Sequence, residues 1–116
     1  MTPQLISEWL TSLSVSERAK ALNLIGFKLT IRAREYGQPE SVAQGETTIK
    51  RLLGINELQH KLSSQAGHYM NGDESTAYPV SVLSQTLFEI AAQYNVTGAL
   101  GAALKSAMGN ISPAAN

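Results

Sequence analysis

Apolar residues recur every three or four positions along most of this chain, the spacing of a helix with one buried face. The longest such stretch, residues 47–71, has two distinct sides on a helical wheel. Its apolar side holds Leu52, Ile55, Leu58, Leu62, Ala66, Tyr69 and Met70, and its polar side holds Glu57, His60, Lys61, Ser64 and His68. No long stretch alternates with the period of two that marks a strand. The pattern therefore predicts an all-α fold of about five helices, in a compact bundle or an orthogonal array.

Capping signals mark the start of the first two helices. Thr2 followed by Pro3 predicts a helix that begins at Pro3, because a threonine side chain caps the first turn and proline is tolerated there. Ser14 and Glu17 form an S-x-x-E capping box, in which each side chain accepts a hydrogen bond from the other residue's backbone N–H. A second helix is therefore expected from Val15, with almost no loop before it.

Glycines and polar clusters predict where the middle of the chain is interrupted. The second helix is expected to end near Tyr36, with Gly37 in the left-handed position that follows. Residues 37–46 and 71–76 are predicted to be connections because they are polar and contain glycine. Gly54 lies inside the third helix, where it predicts a bend.

The last third of the chain predicts two shorter helices. Pro79 is expected to open a fourth helix, and Thr97 to cap a fifth over residues 98–108. This gives a single helical domain over residues 1–109 and a flexible C-terminal tail over residues 110–116.

The second helix carries apolar residues on two opposite sides. One stripe consists of Ala21, Leu22, Ile25, Leu29, Ala33 and Tyr36, and the other of Leu24, Phe27 and Ile31. A helix with two apolar sides must cover both of them. Either it lies in the centre of the domain, or another chain covers one stripe. We expect the stripe of Leu24, Phe27 and Ile31 to mediate self-association.

Composition narrows the class of protein. The chain has 116 residues, enough for one domain, and its 43% hydrophobic content argues against intrinsic disorder. Nine basic and nine acidic residues give a formal net charge of zero, which disfavours non-specific binding to nucleic acids or membrane surfaces. The lack of cysteine excludes disulfides, thiolate catalysis and Cys-based zinc sites. Without a secretory signal or an apolar stretch of about 20 residues, we expect a cytoplasmic protein that needs no membrane and no cofactor.

The polar side of the third helix holds the residues closest to a chemical motif. Glu57 and His60 form an E-x-x-H pair, which di-iron bundles use twice together with two further glutamates. Ser64 lies one turn from His60 and one from His68, so the components of a hydrolytic triad are present. A single helix supplies neither an oxyanion hole nor shelter from water. We therefore predict no catalytic residue and no metal site, and interpret Glu57, His60, Ser64 and His68 as a partner-binding face.

Basic residues suggest a different kind of partner. Lys28 and Arg32 lie one turn apart on the second helix, and Lys50 and Arg51 are adjacent near the start of the third. If the two helices are neighbours, these four side chains could form a small anion-binding patch. Recognition of nucleic acid would require more positive charge than this.

These features favour a non-enzymatic, helical protein–protein interaction module that forms a homo-oligomer and binds another protein. A small bacterial regulator of the antitoxin, immunity or adaptor type would have this size and chemistry. The first alternative is a nucleic-acid-binding protein that uses Lys28, Arg32, Lys50 and Arg51. The second is a small enzyme or metal site centred on Glu57 and His60.

Overall fold

A computed structural model describes residues 1–35, 42–72 and 78–111 of the chain. These residues form five α-helices and no strand, which confirms the predicted all-α fold. The helices are α1 (Pro3–Ser12), α2 (Val15–Arg34), α3 (Val42–Met70), α4 (Val80–Gln93) and α5 (Thr97–Asn110). None of the described helices is long and apolar enough to cross a membrane.

The corner between α1 and α2 is built as the capping signals predict. The Thr2 hydroxyl accepts a hydrogen bond from Leu5 N at 3.3 Å. Both bonds of the Ser14–Glu17 capping box are present, at 2.8 and 3.2 Å. Arg18 then reaches back to the end of α1, where its Nε donates to the Leu10 carbonyl at 2.7 Å. Because the last carbonyls of a helix have no partner within it, this guanidinium stabilises the end of α1.

Two predicted boundaries in the middle of the chain differ from the structure. Helix α2 ends at Arg34, while Tyr36 and Gly37 lie outside the described residues. Helix α3 begins at Val42, five residues earlier than predicted, and runs without interruption through Gly54. The glycine has a packing role, since a Cβ at this position would overlap the side chain of Tyr94. A missing side chain that allows close approach was interpreted from sequence as a weak point in the helix.

The turn between α4 and α5 is a Schellman motif with asparagine in the left-handed position. Asn95 has φ 58°, a conformation that asparagine tolerates better than most residues. Val96 N donates to the Ala91 carbonyl at 2.8 Å, and Asn95 N donates to Ala92 at 3.3 Å. Val96, rather than the predicted Thr97, is therefore the N-cap of α5.

The last helix also ends later than predicted. Helix α5 continues to Asn110, and the carbonyl of Ile111 accepts a hydrogen bond from the Trp9 indole at 3.1 Å. The predicted tail therefore does not begin at residue 110. Residues 112–116 lie outside the described part of the chain.

The core is formed where α4 and α5 cover the inner side of the α2–α3 pair. Helix α2 packs against α3 and α5, and α4 packs against α1, α3 and α5. All five helices contribute to the large side chains that are fully buried: Ile6, Leu10, Leu22, Ile25, Leu29, Ile55, Leu58, Leu62, Leu83, Leu87, Leu100 and Leu104. This arrangement leaves the other side of the α2–α3 pair facing outward.

Candidate interaction surface

Specific contacts fix α2 and α3 side by side. The Gln59 side-chain amide donates to the Gly26 carbonyl at 3.1 Å and also to the Thr30 hydroxyl. Near the other end of the pair, the Arg18 guanidinium lies 5.9 Å from the centre of the Tyr69 ring. These contacts make the two helices antiparallel, with the start of α2 beside the end of α3.

The outward side of α2 is apolar at its centre. The Phe27 side chain is 59% exposed and Ile31 is 38% exposed, whereas Leu24 is partly buried against the core. On a wheel of 100° per residue, Phe27 lies about 180° from the centre of the buried residues of α2. The alternative in which α2 lies in the centre of the domain is therefore wrong. The described residues leave Phe27 and Ile31 exposed.

The start of α3 adds three more exposed apolar side chains. Ile49, Leu52 and Leu53 are 60%, 40% and 53% exposed. Since Gln59 lies opposite Gly26 and Thr30, the end of α2 at Arg34 falls opposite about residue 53. The turns of α3 before this point extend beyond α2. Leu52 was predicted to lie in the core, and the prediction is wrong because α2 ends before it can cover this position.

We call the outward side of the two helices the α2–α3 outer face. Its exposed positions include Asn23, Phe27, Ile31, Leu53, Asn56 and Ser63. Along this side of α2, the exposed positions between Lys20 and Arg34 are all uncharged. Loss of charge at the centre with charges at the margin is typical of protein interfaces.

Two grooves run along the seam of this face and meet at Asn23. The larger has a volume of about 490 Å³ and is lined by Val15, Ser16, Ala19, Lys20, Asn23, Tyr69 and Met70. The smaller has a volume of about 180 Å³ and is lined by Leu22, Asn23, Gly26, Thr30, Gln59, Leu62 and Ser63. Small residues on α2 make both grooves possible, because Ala19 and Gly26 leave room between the helices.

Met70 lies at one end of the larger groove. It was predicted to belong to the core, but it is 69% exposed. That prediction is wrong because α3 reaches its last turn at Met70, beyond the part of the helix whose apolar side is fully covered.

Glu17 and Lys20 carry charge at the start of α2, near this end of the groove. The Ser14 backbone N–H donates to the Glu17 carboxyl and lowers its pKa.

The predicted polar face of α3 is open to solvent. Glu57, His60 and Ser64 are exposed and His68 is half-buried. The two seam grooves are lined by other residues. Among the described residues, no group of three or more His, Asp or Glu side chains could hold a metal ion. The arrangement offers side chains that can hydrogen-bond to a partner.

Lys61 has a structural contact that the sequence did not suggest. Its ammonium lies 3.1 Å from the Tyr78 hydroxyl and 4.7 Å from the centre of that ring. Gln65, which is buried, accepts a hydrogen bond from Tyr78 N at 2.7 Å. The burial of Gln65 could have been found from its place on the apolar side of the helical wheel. No sequence pattern identifies the contact between Lys61 and Tyr78.

The four basic residues are spread over more than one side of the helix pair. On the wheel, Lys28 lies about 180° from the mean direction of Gly26 and Thr30, which face α3. Arg32 forms an ion pair with Glu35 at 2.7 Å. Lys50 is exposed and Arg51 is half-buried on α3. The contact between α2 and α3 confirms that the helices are neighbours, but it turns Lys28 away from α3.

Comparisons of the chain with protein-family models, with curated proteins and with solved structures give no match.

Proposed function

We propose that this chain is a non-enzymatic, helical interaction module that binds another polypeptide through the α2–α3 outer face. The observation that carries the proposal is a set of five large apolar side chains that are exposed on this face and on the turns of α3 that extend beyond α2: Phe27, Ile31, Ile49, Leu52 and Leu53. Complete burial of one such side chain contributes about 1.5–3 kcal/mol. A partner that covers several of them gains a substantial driving force.

The distribution of these residues supports a specific surface over scattered exposure. Phe27 and Ile31 are one turn apart on α2, and Ile49, Leu52 and Leu53 occupy consecutive turns of α3. Contiguous apolar patches of about 300–600 Å² on a single protein are frequently functional. Glu57, His60 and Ser64 adjoin this patch on α3, where they supply polar contacts at its margin.

The same geometry supports a binding function in preference to catalysis. A general base requires a nucleophile within reach and an environment that excludes water. Glu57, His60 and Ser64 are exposed on one helix. A small bacterial regulator of the antitoxin, immunity or adaptor type would use such a module to bind its partner.

Photo-crosslinking in cells that produce the protein tests the proposal. A photoreactive phenylalanine analogue placed at Phe27 is expected to form a discrete adduct with one defined polypeptide. The same analogue at Val82, which is 47% exposed on α4, is the matched control and should form none. If position 27 gives no adduct, or if both positions give the same set of adducts, the outer face is not a binding surface.

A further inference from the structure

We infer that the occupant of the α2–α3 outer face is a second copy of this chain, packed antiparallel with Asn23 at the twofold axis. The inference rests on the proposed function and names its partner. A twofold interface is isologous, so each subunit must carry both the protruding and the receiving surface on one patch. The outer face has both, because Phe27 and the larger groove lie along the same side of α2.

The positions of the protrusion and the groove agree with a single twofold axis. When Asn23 lies on the axis, each residue of α2 lies opposite the residue equally far on the other side of position 23. Phe27 then lies opposite Ala19 of the partner subunit. Ile31 lies opposite Val15 of the partner subunit. Ala19 lines the larger groove, so the Phe27 side chain enters it. On the wheel, Ile31 points about 160° away from Val15, so it packs beside the groove.

The groove has the size and surface to receive the Phe27 side chain. Its volume is about 490 Å³, and its walls include the buried ring of Tyr69 and the exposed side chain of Met70. Ala19 forms a low floor because its side chain is one methyl group. Methionine adapts its shape to an incoming aromatic group and makes favourable contacts between sulfur and ring. A phenyl group entering here would meet carbon and sulfur on most sides.

Charge does not oppose this arrangement. The chain has a formal net charge of zero, so two copies do not repel each other at long range. The residue on the axis is uncharged, and Lys20 lies opposite Gly26 of the partner subunit. Arg34 lies opposite Ser12 of the partner subunit. Arg18 and Lys28 of the partner subunit lie at the same level, but on the wheel they are about 180° and 100° from Phe27, so neither points into the interface.

The area of the face is what a small specific dimer needs. Helix α2 has 20 residues, a length of about 30 Å, and two adjacent helices are about 20 Å wide. Each subunit therefore offers roughly 600 Å², and two subunits together bury roughly 1,200 Å². This value lies at the lower limit of stable, specific interfaces. A single partner helix would cover only about half of the face and leave the rest of the apolar patch exposed.

The first experiment measures the mass of the protein in solution by light scattering and sedimentation, from roughly 5 to 500 µM. The wild-type chain is expected to be a dimer over the upper part of this range. Phe27→Glu should raise the dissociation constant of the dimer by about 100-fold or more. Val82→Glu, at an exposed apolar position of α4, is the matched control and should leave it unchanged. Phe27→Ser, with unchanged helical circular dichroism, separates loss of the dimer from loss of the fold.

The second experiment tests the axis itself. The chain contains no cysteine, so a single introduced cysteine can pair only with its copy. Asn23→Cys should form a disulfide-linked dimer under mild oxidation, because an axis at this position brings the two Cα atoms within about 7 Å. Gln85→Cys, exposed on α4, is the control and should form no disulfide-linked dimer.

The outcomes separate this inference from the proposed function. A wild-type chain that is monomeric at every concentration overturns the dimer. A dimer that survives Phe27→Glu and does not crosslink at position 23 uses another face, which also overturns the inference. If the monomer still gives a defined adduct with a different polypeptide from position 27, the proposed function stands and only its partner changes. If neither a dimer nor an adduct forms, both are wrong.

Discussion

Gly54 offers a test of the packing between α3 and the turn that joins α4 to α5. A Cβ at this position would overlap Tyr94 Cβ, would lie 2.9 Å from Tyr94 Cγ, and would lie 3.2 Å from Val96 Cγ2. Tyr94 Cβ is bonded to the backbone, so no rotation of the side chain can remove the overlap. Gly54→Ala therefore requires that the turn move away from α3.

Two opposing effects determine the size of the change. Replacing glycine by alanine inside a helix stabilises it by roughly 1 kcal/mol. Overpacking a core typically costs 1–3 kcal/mol, and we take about 3 kcal/mol here because the overlap involves atoms fixed to the backbone. The net effect is a loss of about 2 kcal/mol in the free energy of unfolding, which corresponds to a fall in Tm of roughly 6–10 °C for a domain of this length.

Gly67 supplies the matched control. It lies in the same helix, and a Cβ there would meet nothing within 4 Å. Gly67→Ala should therefore raise the free energy of unfolding by about 0.5–1 kcal/mol. Both variants are compared with the wild type by urea and thermal unfolding, followed by circular dichroism at one protein concentration, since self-association would shift Tm. A Gly54→Ala variant as stable as Gly67→Ala would refute the close approach at Tyr94.

Three further predictions follow from the described contacts. Trp9→Phe removes the indole donor to Ile111 and should lower the free energy of unfolding by about 1–2 kcal/mol in urea titrations, and unchanged unfolding would contradict that bond. The pKa of Glu17 is lowered from 4.5, so the stability from its ionised form is complete above that pH and declines as the pH falls through the lowered value. Glu17→Gln should therefore reduce the fall in Tm between about pH 5 and about pH 3. If the Tm of the variant and of the wild type fall in parallel over this range, the prediction is wrong. Leu58→Ala, at a fully buried site, should lower the free energy of unfolding by about 2–5 kcal/mol in urea titrations. Leu53→Ala, on the exposed side of α3, is its control and should lower it by roughly 0.5 kcal/mol.

Local signals predicted the beginning of the fold well. The caps at Thr2 and Ser14 depend on residues within one turn of each other, and both were confirmed. The buried sides of α2 and α3 also followed from helical spacing, which one helix determines by itself. The packing role of Gly54 did not follow from local signals because its reason lies in Tyr94, 40 positions along the chain.

The candidate surface depended on information that no single helix contains. Leu52 and Met70 share the apolar side of α3 with Leu58 and Leu62, yet they are exposed. The difference arises from where α2 and α3 end relative to each other, which is a property of the pair. The seam grooves likewise need both helices. Sequence identified Phe27 and Ile31 as part of a second apolar stripe, but it left open whether that stripe lay in the centre of the domain or was covered by another chain.

The contact between Trp9 and Ile111 has a consequence for the order in which the protein is made. Helix α1 is synthesised first, yet it packs against α4, and its tryptophan is held by a carbonyl at the end of α5. Until residue 111 has left the ribosome, Trp9 and Leu10 have no complete binding site and remain accessible to chaperones. Helix α1 is therefore expected to dock after the other four helices, so ribosome-bound intermediates should expose this tryptophan until the end of α5 has been synthesised.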